Sequence, residues 1–232
     1  MKQSIEELLS GNPYPGRGIL IGCSFDGSSI IICYFIMGRS INSRNRVFIK
    51  TDDGIRTAAY DPSQMTNPEL IIYHPVRTFK DITIVTNGDQ TDTIYDHLQK
   101  GSDFRSALAE REFEPDAPNY TPRISGIACD NGYELAILKT MNSDPSHCQR
   151  CYFSYPGFIP GLGHFISTYK TDGDPLPSFT GEPVPVDMPD VDPDKFAGMI
   201  WNALNEENKV SLYIRSINLA NSDINESIIN KL

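Results

Sequence analysis

The sequence has little positive charge and no long apolar run, and both deficits exclude classes of protein. Lys and Arg number 20 against 30 Asp and Glu, so the net charge is -10. Affinity for nucleic acid polymers comes mainly from basic residues that neutralise phosphates, which argues against such a partner. No apolar run approaches the roughly 20 residues that span a bilayer, and residues 1–7 lack the apolar core of a signal peptide. We therefore expect a cytoplasmic protein without a membrane partner.

Cysteine is also scarce, and its pattern indicates neither disulfides nor a metal site. An odd number of cysteines, three of them inside predicted strands, is typical of reduced core residues. His147 beside Cys148 and Cys151 is the cluster most like a zinc site, but structural zinc needs four ligands and no second pair is suitably spaced. We predict no structural metal and no disulfide. The five cysteines are Cys23, Cys33, Cys129, Cys148 and Cys151.

Recurrent hairpin signals predict the fold class. Apolar, β-branched runs are separated by the turn sequences at 26–27, 52–54 and 130–132, each of which contains Asp and Gly. Helical patterns are fewer and are grouped in the middle and near the end of the chain. About ten strands in hairpins with such helices predict an α+β fold in which helices cover antiparallel sheets. The hydrophobic content of 39% suits one sizeable core, so we take residues 1–232 as a single domain.

The N-terminal part is predicted to be a helical extension over residues 1–15. Residues 4–10 form a short helical pattern that ends at Gly11, a residue able to take the left-handed C-terminal conformation. Further on, the dipeptide at 67–68, in which Asn precedes Pro, stands before residues 69–73.

The later part of the chain alternates exposed and ordered segments. Residues 141–149 are interpreted as an exposed insert, and residues 171–193, rich in Pro and Asp, as a long ordered loop. Asp192 as the N-cap and Pro193 at the first position begin a helix that extends to about residue 206. Residues 210–217 are predicted to be the last strand.

One loop concentrates positive charge inside this acidic chain. The segment 34–48 begins and ends as a strand, and between its ends lie Arg39, Arg44 and Arg46, while no Asp or Glu occurs between Asp26 and Asp52. Guanidinium groups on an anchored loop suit bidentate recognition of a phosphate or carboxylate. The alternative is a solvated basic hairpin tip.

A predicted strand, turn and helix follow one another at residues 81–98. The strand ends at the dipeptide of Asn87 and Gly88, and Thr91 or Asp92 can cap the helix. The free N–H groups of a helix N-terminus attract anions or developing oxyanions. A plain turn with an N-cap accounts for the same residues.

Two carboxylates in a proline-containing loop are candidates for proton transfer. Glu114 and Asp116 precede the sequence Thr121-Pro122-Arg123. Surface carboxylates are common, so the alternative is that both are solvated.

Four motifs, in this order, resemble those of the archaeal-type IMP cyclohydrolases. They are GRSINSRNR at 38–46, VTNGDQTDTI at 85–94, TPRI at 121–124 and ISTY at 166–169. The similarity extends from about Gly16 to Tyr169. It implies a four-layer αββα sandwich like that of the N-terminal nucleophile hydrolases, used without an N-terminal nucleophile. Gln90 stands where the family motif has a histidine, and Met37 and Gly38 replace small polar residues.

The resemblance implies an enzyme of purine biosynthesis, a hydrolase acting on a cyclic amidine C–N bond. Its reaction closes 5-formamidoimidazole-4-carboxamide ribotide to IMP with loss of water and needs no cofactor, and its partner is a small purine nucleotide. A homo-oligomer is compatible with this interpretation. Two alternatives remain: a purine-nucleotide-binding protein without catalysis, and an N-terminal nucleophile-type amide hydrolase, which would require processing to expose Cys23.

The resemblance suggests Arg39, Ser40, Arg44, Tyr73 and Glu114 as site residues, and the chemistry of the reaction adds the others; we expect the site to form one cleft. Glu114 is assigned to proton transfer, and Tyr73 and Asn87 to orienting the formyl group. The residues assigned to substrate binding are Arg39, Ser40, Arg44, Arg46, Thr91 and Arg123.

Overall fold

Two seven-stranded sheets form the body of the computed structural model, which describes residues 2–66 and 71–232. Five α-helices accompany them in this part of the chain. The strands are β1 (Gln3–Ser4), β2 (Arg17–Cys23), β3 (Ser29–Met37), β4 (Arg46–Thr51), β5 (Gly54–Ala59), β6 (Val76–Phe79), β7 (Ile82–Thr86), β8 (Arg123–Cys129), β9 (Gly132–Met141), β10 (Asp144–Pro156), β11 (Leu162–Ser167), β12 (Val184–Asp187), β13 (Lys209–Asn218) and β14 (Ile224–Asn230). The helices are α1 (Ile5–Ser10), α2 (Ile41–Arg44), α3 (Gln90–Gln99), α4 (Phe104–Ala109) and α5 (Pro193–Ala203).

Both sheets are built mainly from antiparallel neighbours. The first has the order β1-β12-β11-β2-β3-β13-β14, in which β1 and β12 alone are parallel among the described pairs. The second has the order β10-β9-β8-β7-β6-β5-β4 and is a continuous antiparallel meander. The predicted α+β class with antiparallel sheets is confirmed.

Alternation along the strands distributes apolar side chains over three clusters. In β2, Leu20 packs in an outer cluster with α1 and α5, whereas Ile19 and Ile21 pack between the two sheets. In β7, Val85 faces the other sheet and Ile84 faces α3 and α4. Because successive side chains of a strand point to opposite faces, each sheet has an inner apolar face and an outer face covered by helices.

The turn signals located the hairpins correctly. The turns at 26–27, 52–54 and 130–132 join β2 to β3, β4 to β5 and β8 to β9. Helix α5 begins as predicted, with Pro193 at its start and the Asp192 side chain accepting from the Lys195 N–H. It ends at Ala203 rather than near 206, because Leu204 is extended.

The predicted N-terminal helix is shorter and ends differently. Ser4, in β1, pairs with Asp187 of β12 and also caps α1, which starts at Ile5. Gly11 has φ of -78° rather than the predicted left-handed conformation, because its N–H still bonds to the Glu7 carbonyl as in a further helical turn. Of residues 69–73, residues 69 and 70 lie outside the described residues, and 71–73 form no strand.

Three segments interpreted as irregular or terminal contain strands. Residues 141–149 are the turn and start of the β9–β10 hairpin, and their exposure reflects the position of β10 at a sheet edge. The loop 171–193 contains β12, and β14 follows the strand predicted to be last. All three are edge or near-edge strands, whose one-sided burial gives a weak apolar pattern. No helix in the described ranges is long and apolar enough to cross a membrane.

A half-buried histidine on β11, which lies between β12 and β2, should make stability depend on pH. His164 stacks on Tyr155 with ring centroids 4.0 Å apart, and its Nδ1 lies 2.5 Å from the Tyr133 hydroxyl. Burial lowers the pKa of His164 below its ordinary value. As pH falls, His164 therefore takes up a proton at a higher pH in the unfolded chain than in the folded protein. The free energy of unfolding consequently decreases as pH falls through about 6.5.

We expect the free energy of unfolding of the wild type to fall between about pH 7 and pH 5 more than that of His164→Gln. Urea titrations of both proteins at each pH measure this difference. Parallel pH profiles would contradict the assignment.

Candidate active site

A buried carboxylate lies where several strand ends of the two sheets meet. Glu114 is 5% exposed, and its backbone N–H bonds to the Thr121 carbonyl at 2.9 Å. Its carboxylate makes no hydrogen bond or ion pair within the described residues. Burial raises the pKa of Glu114, opposed by Arg17 and Arg123. A carboxyl group with a raised pKa and free oxygens is suited to exchange protons with a ligand.

Two arginines beside this carboxylate have donors that no group in the described residues satisfies. Arg46 is fully buried, and its Nε donates to the Ser43 carbonyl at 2.8 Å. Its Nη1, and the Nε of Arg17, are buried without partners in the part of the chain described. Burial and the charge of Arg17 lower the pKa of Arg46. Unpartnered buried donors of this kind are rare and indicate a place for an external acceptor.

Tyrosine hydroxyls line the same region. The hydroxyls of Tyr34 and Tyr73 lie 2.8 Å apart, and that of Tyr169 lies 2.6 Å from Thr121 Oγ1. Burial raises the pKa of Tyr169 to about 12. Tyr169 therefore remains a neutral hydroxyl, able to donate a hydrogen bond, at physiological pH. The Thr121 hydroxyl donates in turn to Asp116, so Asp116 is engaged within the protein.

The turn after β7 is fixed by a network centred on Asn87. Its Oδ1 accepts from the Ile124 N–H at 2.8 Å and from Gln90 Nε2 at 3.0 Å, and its Nδ2 donates to the Pro122 carbonyl. A Cβ at Gly88 would lie 2.6 Å from Arg123 Nη1 and 3.6 Å from Glu114 Oε1. A glycine is therefore needed for the turn to approach both side chains so closely.

Helix α3 begins one residue before the predicted cap. Asp89 occupies the N-cap position, so the prediction of Thr91 or Asp92 as the cap is wrong. Asp89 makes no side-chain capping bond, because its carboxylate pairs with Arg111 and with Arg123 at 2.7 Å. Thr91 is buried instead, with its hydroxyl 2.6 Å from that of Thr86.

Arg123 is held from two sides. Its Nη1 donates to Gln90 Oε1 at 2.7 Å and lies 2.7 Å from the Asp89 carboxylate. An arginine fixed by two acceptors presents its charge to Glu114 in one orientation.

The predicted irregular arginine loop contains the short helix α2. Ser40 caps it, since its hydroxyl accepts from the Ser43 N–H at 3.1 Å. Arg44, at its end, is exposed, and it donates to the Gly38 carbonyl at 2.9 Å and to Asn208 Oδ1 at 3.1 Å. These contacts orient Arg44 on the rim of the site.

The remaining arginine of this loop contacts the segment 171–193. Arg39 donates from Nη1 to Asp172 at 2.7 Å and to the Gly173 carbonyl at 3.0 Å. Its guanidinium also lies 5.1 Å from the centre of the Tyr14 ring, which stacks on Tyr169. The start of this segment is thereby attached to the edge of the site.

The predicted residues occupy three positions. Arg46 and Arg123 act electrostatically on Glu114 in the interior. Arg39, Ser40 and Arg44 lie on the exposed rim, and Asn87 and Thr91 support the turn. Convergence of all of them on a bound ligand stays a prediction. The sequence reasoning missed Arg17, Tyr34 and Gln90 as site residues; an arginine opening an otherwise apolar strand was the available signal for Arg17.

Comparison with known proteins gives consistent results. Residues 14–222 match the model of the family described as IMP cyclohydrolase-like protein. A protein of Methanopyrus kandleri named IMP cyclohydrolase is 35% identical over 161 residues, which are 67% of this chain and 75% of that protein. One of Methanothrix thermoacetophila, with the same name, is 30% identical over 128 residues, 53% of this chain and 62% of its own. An IMP cyclohydrolase of Methanosphaera stadtmanae is 32% identical over 161 residues, which are 68% of this chain and 74% of that protein. The matched stretch thus spans less than two thirds of the Methanothrix protein.

Proposed function

This chain belongs to the IMP cyclohydrolase-like protein family, and we propose that it is an IMP cyclohydrolase, an enzyme of purine biosynthesis that closes 5-formamidoimidazole-4-carboxamide ribotide to IMP. The observation that carries the proposal is the buried Glu114 carboxylate beside buried donors of Arg17 and Arg46, all of them without a hydrogen-bond partner in the part of the chain that the structure describes. This arrangement combines a proton acceptor with donors for a developing oxyanion.

Ring closure needs positioning and two proton movements. The carboxamide nitrogen attacks the formyl carbon of the same molecule, so holding the two groups in contact supplies much of the acceleration. As the C–N bond forms, a nitrogen proton passes to Glu114 and then to the formyl oxygen, giving a hydroxyl. The formamido nitrogen next loses its proton as C=N forms, and the hydroxyl accepts a proton and leaves as water. The raised pKa of Glu114 suits both the acceptance and the return of a proton.

We assign the remaining residues to orientation and binding. The Tyr73 hydroxyl, fixed by Tyr34, orients the formyl group, and Asn87 holds the turn beside it. Arg46 binds an anionic or carbonyl oxygen with its free Nη1. Five further residues are assigned to substrate binding. We place Arg39, Ser40 and Arg44 near the phosphate, and Thr91 and Arg123 near the purine ring.

The same proposal extends to the fold and its organisation. The two antiparallel sheets with helices outside fit a four-layer αββα sandwich of the N-terminal nucleophile hydrolase type. Cys23 lies inside β2 with 1% exposure, so it is not placed as an N-terminal nucleophile. We treat residues 1–232 as one domain that binds a small purine nucleotide.

The direct test is to incubate the purified protein with the formamido ribotide and follow IMP by its absorbance and by chromatography. Stoichiometric conversion to IMP, faster than in the absence of protein, is expected. Binding of IMP without conversion would replace the proposal with a nucleotide-binding protein that lacks catalysis.

Arg44→Ala is expected to weaken IMP binding by roughly tenfold or more, because a charge-assisted contact to phosphate contributes about 1.5 to 3 kcal/mol. Arg44→Lys should restore only part of the affinity, since an ammonium keeps the charge but not the planar fork. Calorimetric titration measures both, with the exposed strand residue Arg56 changed to Ala as the control. Unchanged affinity in Arg44→Ala would return this loop to a solvated hairpin tip.

A further inference from the structure

Arg17 has a fixed backbone, whereas its guanidinium group has no partner among residues 2–66 and 71–232. Its N–H donates to Thr168 Oγ1 at 3.1 Å, and its carbonyl accepts from the Thr168 N–H at 2.9 Å. These bonds to the segment after β11 hold the first residue of β2 in place. The side chain, in contrast, makes no hydrogen bond or ion pair with any described residue, and its Nε is buried.

The groups around Arg17 are those of the proposed reaction. Glu114, Tyr169, Tyr73 and Tyr14 all act on its charge, and together they keep its pKa high although burial opposes this. Its charge in turn opposes the rise in the pKa of Glu114. The guanidinium of Arg17 therefore lies among the carboxylate and hydroxyls that would surround the reacting atoms.

The free donor is informative because a different buried arginine of this protein, Arg215, is satisfied by protein groups. Arg215 is 5% exposed and donates to Glu226, Thr78 and Thr83. Folded proteins rarely leave a buried donor unpaired, and the exceptions call for a specific explanation, such as an acceptor brought by a ligand. For Arg17 such an acceptor must reach the space shared with Glu114.

We propose that Arg17 is a further catalytic residue, whose guanidinium donates to the formyl oxygen as negative charge develops there during attack by the carboxamide nitrogen. This inference rests on the proposed function. In this step the C=O electron pair moves to the oxygen while the new C–N bond forms, and the nitrogen proton moves to Glu114. Arg17 supplies no proton; it stabilises the oxyanion until the proton returns from Glu114.

The test compares Arg17→Met with Arg17→Lys and with Arg56→Met, an exposed arginine on β5, as the matched control. Loss of one oxyanion donor reduces kcat by about 100- to 1,000-fold in other enzymes, and we expect the same range for Arg17→Met with little change in KM. The acid limb of its kcat/KM profile should also move to higher pH, because a positive charge near Glu114 is lost. Arg17→Lys should keep the acid limb near that of the wild type and recover part of kcat.

The outcomes distinguish the two levels of the proposal. A wild type that converts substrate, with Arg17→Met within about threefold of it in kcat, overturns the role of Arg17 alone. An unmoved acid limb in Arg17→Met, with IMP still bound, does the same. A wild type without conversion overturns the proposed function, and the role of Arg17 with it.

Discussion

Glu114→Gln is expected to reduce the rate of cyclisation about 100- to 10,000-fold while leaving IMP affinity nearly unchanged. The amide is nearly the same size as the carboxyl group and cannot accept the proton of the attacking nitrogen. Binding should survive, because the Glu114 carboxylate makes no hydrogen bond within the described residues, so its replacement by the amide breaks no side-chain contact there. The effect therefore falls on kcat.

Although Glu114→Gln should lower the rate, it should raise the stability of the folded protein at neutral pH. The pKa of Glu114 is raised in the folded protein, so the unfolded chain loses its proton first. Stability consequently falls as pH rises above the ordinary glutamate value of about 4.3. Glu114→Gln is thus expected to have a higher thermal midpoint than the wild type at pH 7, and the difference should shrink in acid.

Initial rates, IMP titration and thermal scans of Glu114→Gln test these expectations together. Glu112→Gln is the matched control, since Glu112 is an exposed carboxylate two residues earlier in the same loop. Wild-type rates in Glu114→Gln would exclude Glu114 from proton transfer and leave the binding assignments standing. A lowered thermal midpoint at pH 7 would show that the carboxylate has a structural partner.

The elements that sequence reasoning located are those specified by neighbouring residues. Turns containing Asp and Gly identified three hairpins, and Asp192 followed by Pro193 identified the start of α5. Such signals depend on local backbone preferences and need no knowledge of the partner strand. The missed strands β12 and β14 lie near or at the edge of the first sheet, where one-sided burial weakens the apolar alternation.

The sequence predicted which residue types form the site, but not which of them are buried or what they contact. Three arginines in one loop indicated an anion site, but the sequence did not show that Arg46 is buried while Arg44 is exposed. Arg39 bonds to Asp172, and Arg17 is fixed by Thr168, a partner 151 positions away. Contacts between distant segments arise from the pairing of strands, and no local pattern records them.

Replacing Arg46 with Met is expected to affect ligand binding much more than the stability of the unligated protein. The Nε and Nη2 of Arg46 donate to the carbonyls of Ser43 and Met37, while its buried Nη1 has no partner in the described part of the chain. Replacing it with Met loses the two bonds but removes an unpartnered donor and the repulsion with Arg17. These changes oppose each other, so the unligated Arg46→Met protein should lie within about 1 kcal/mol of the wild type in stability.

Ligand binding should respond far more strongly. Loss of one partner of a buried charge pair costs about 2 to 5 kcal/mol, so Arg46→Met should weaken IMP binding roughly 30-fold or more. At an IMP concentration of about 100 times the wild-type Kd, binding adds about 2.7 kcal/mol to wild-type stability, and less than about 1 kcal/mol to the variant. Denaturant titration with and without IMP measures both quantities.

Arg215→Met is the matched control, because Arg215 is also buried but pairs fully with Glu226 and two threonines. It should lose stability, since Glu226 is left without its arginine, and should keep its affinity for IMP. The reverse pattern, in which Arg46→Met unfolds readily and Arg215→Met binds IMP weakly, would assign Arg46 to the support of the fold and remove it from the nucleotide site. The expected pattern follows because Arg215 already donates to protein acceptors, whereas the buried Nη1 of Arg46 has none in the described part of the chain.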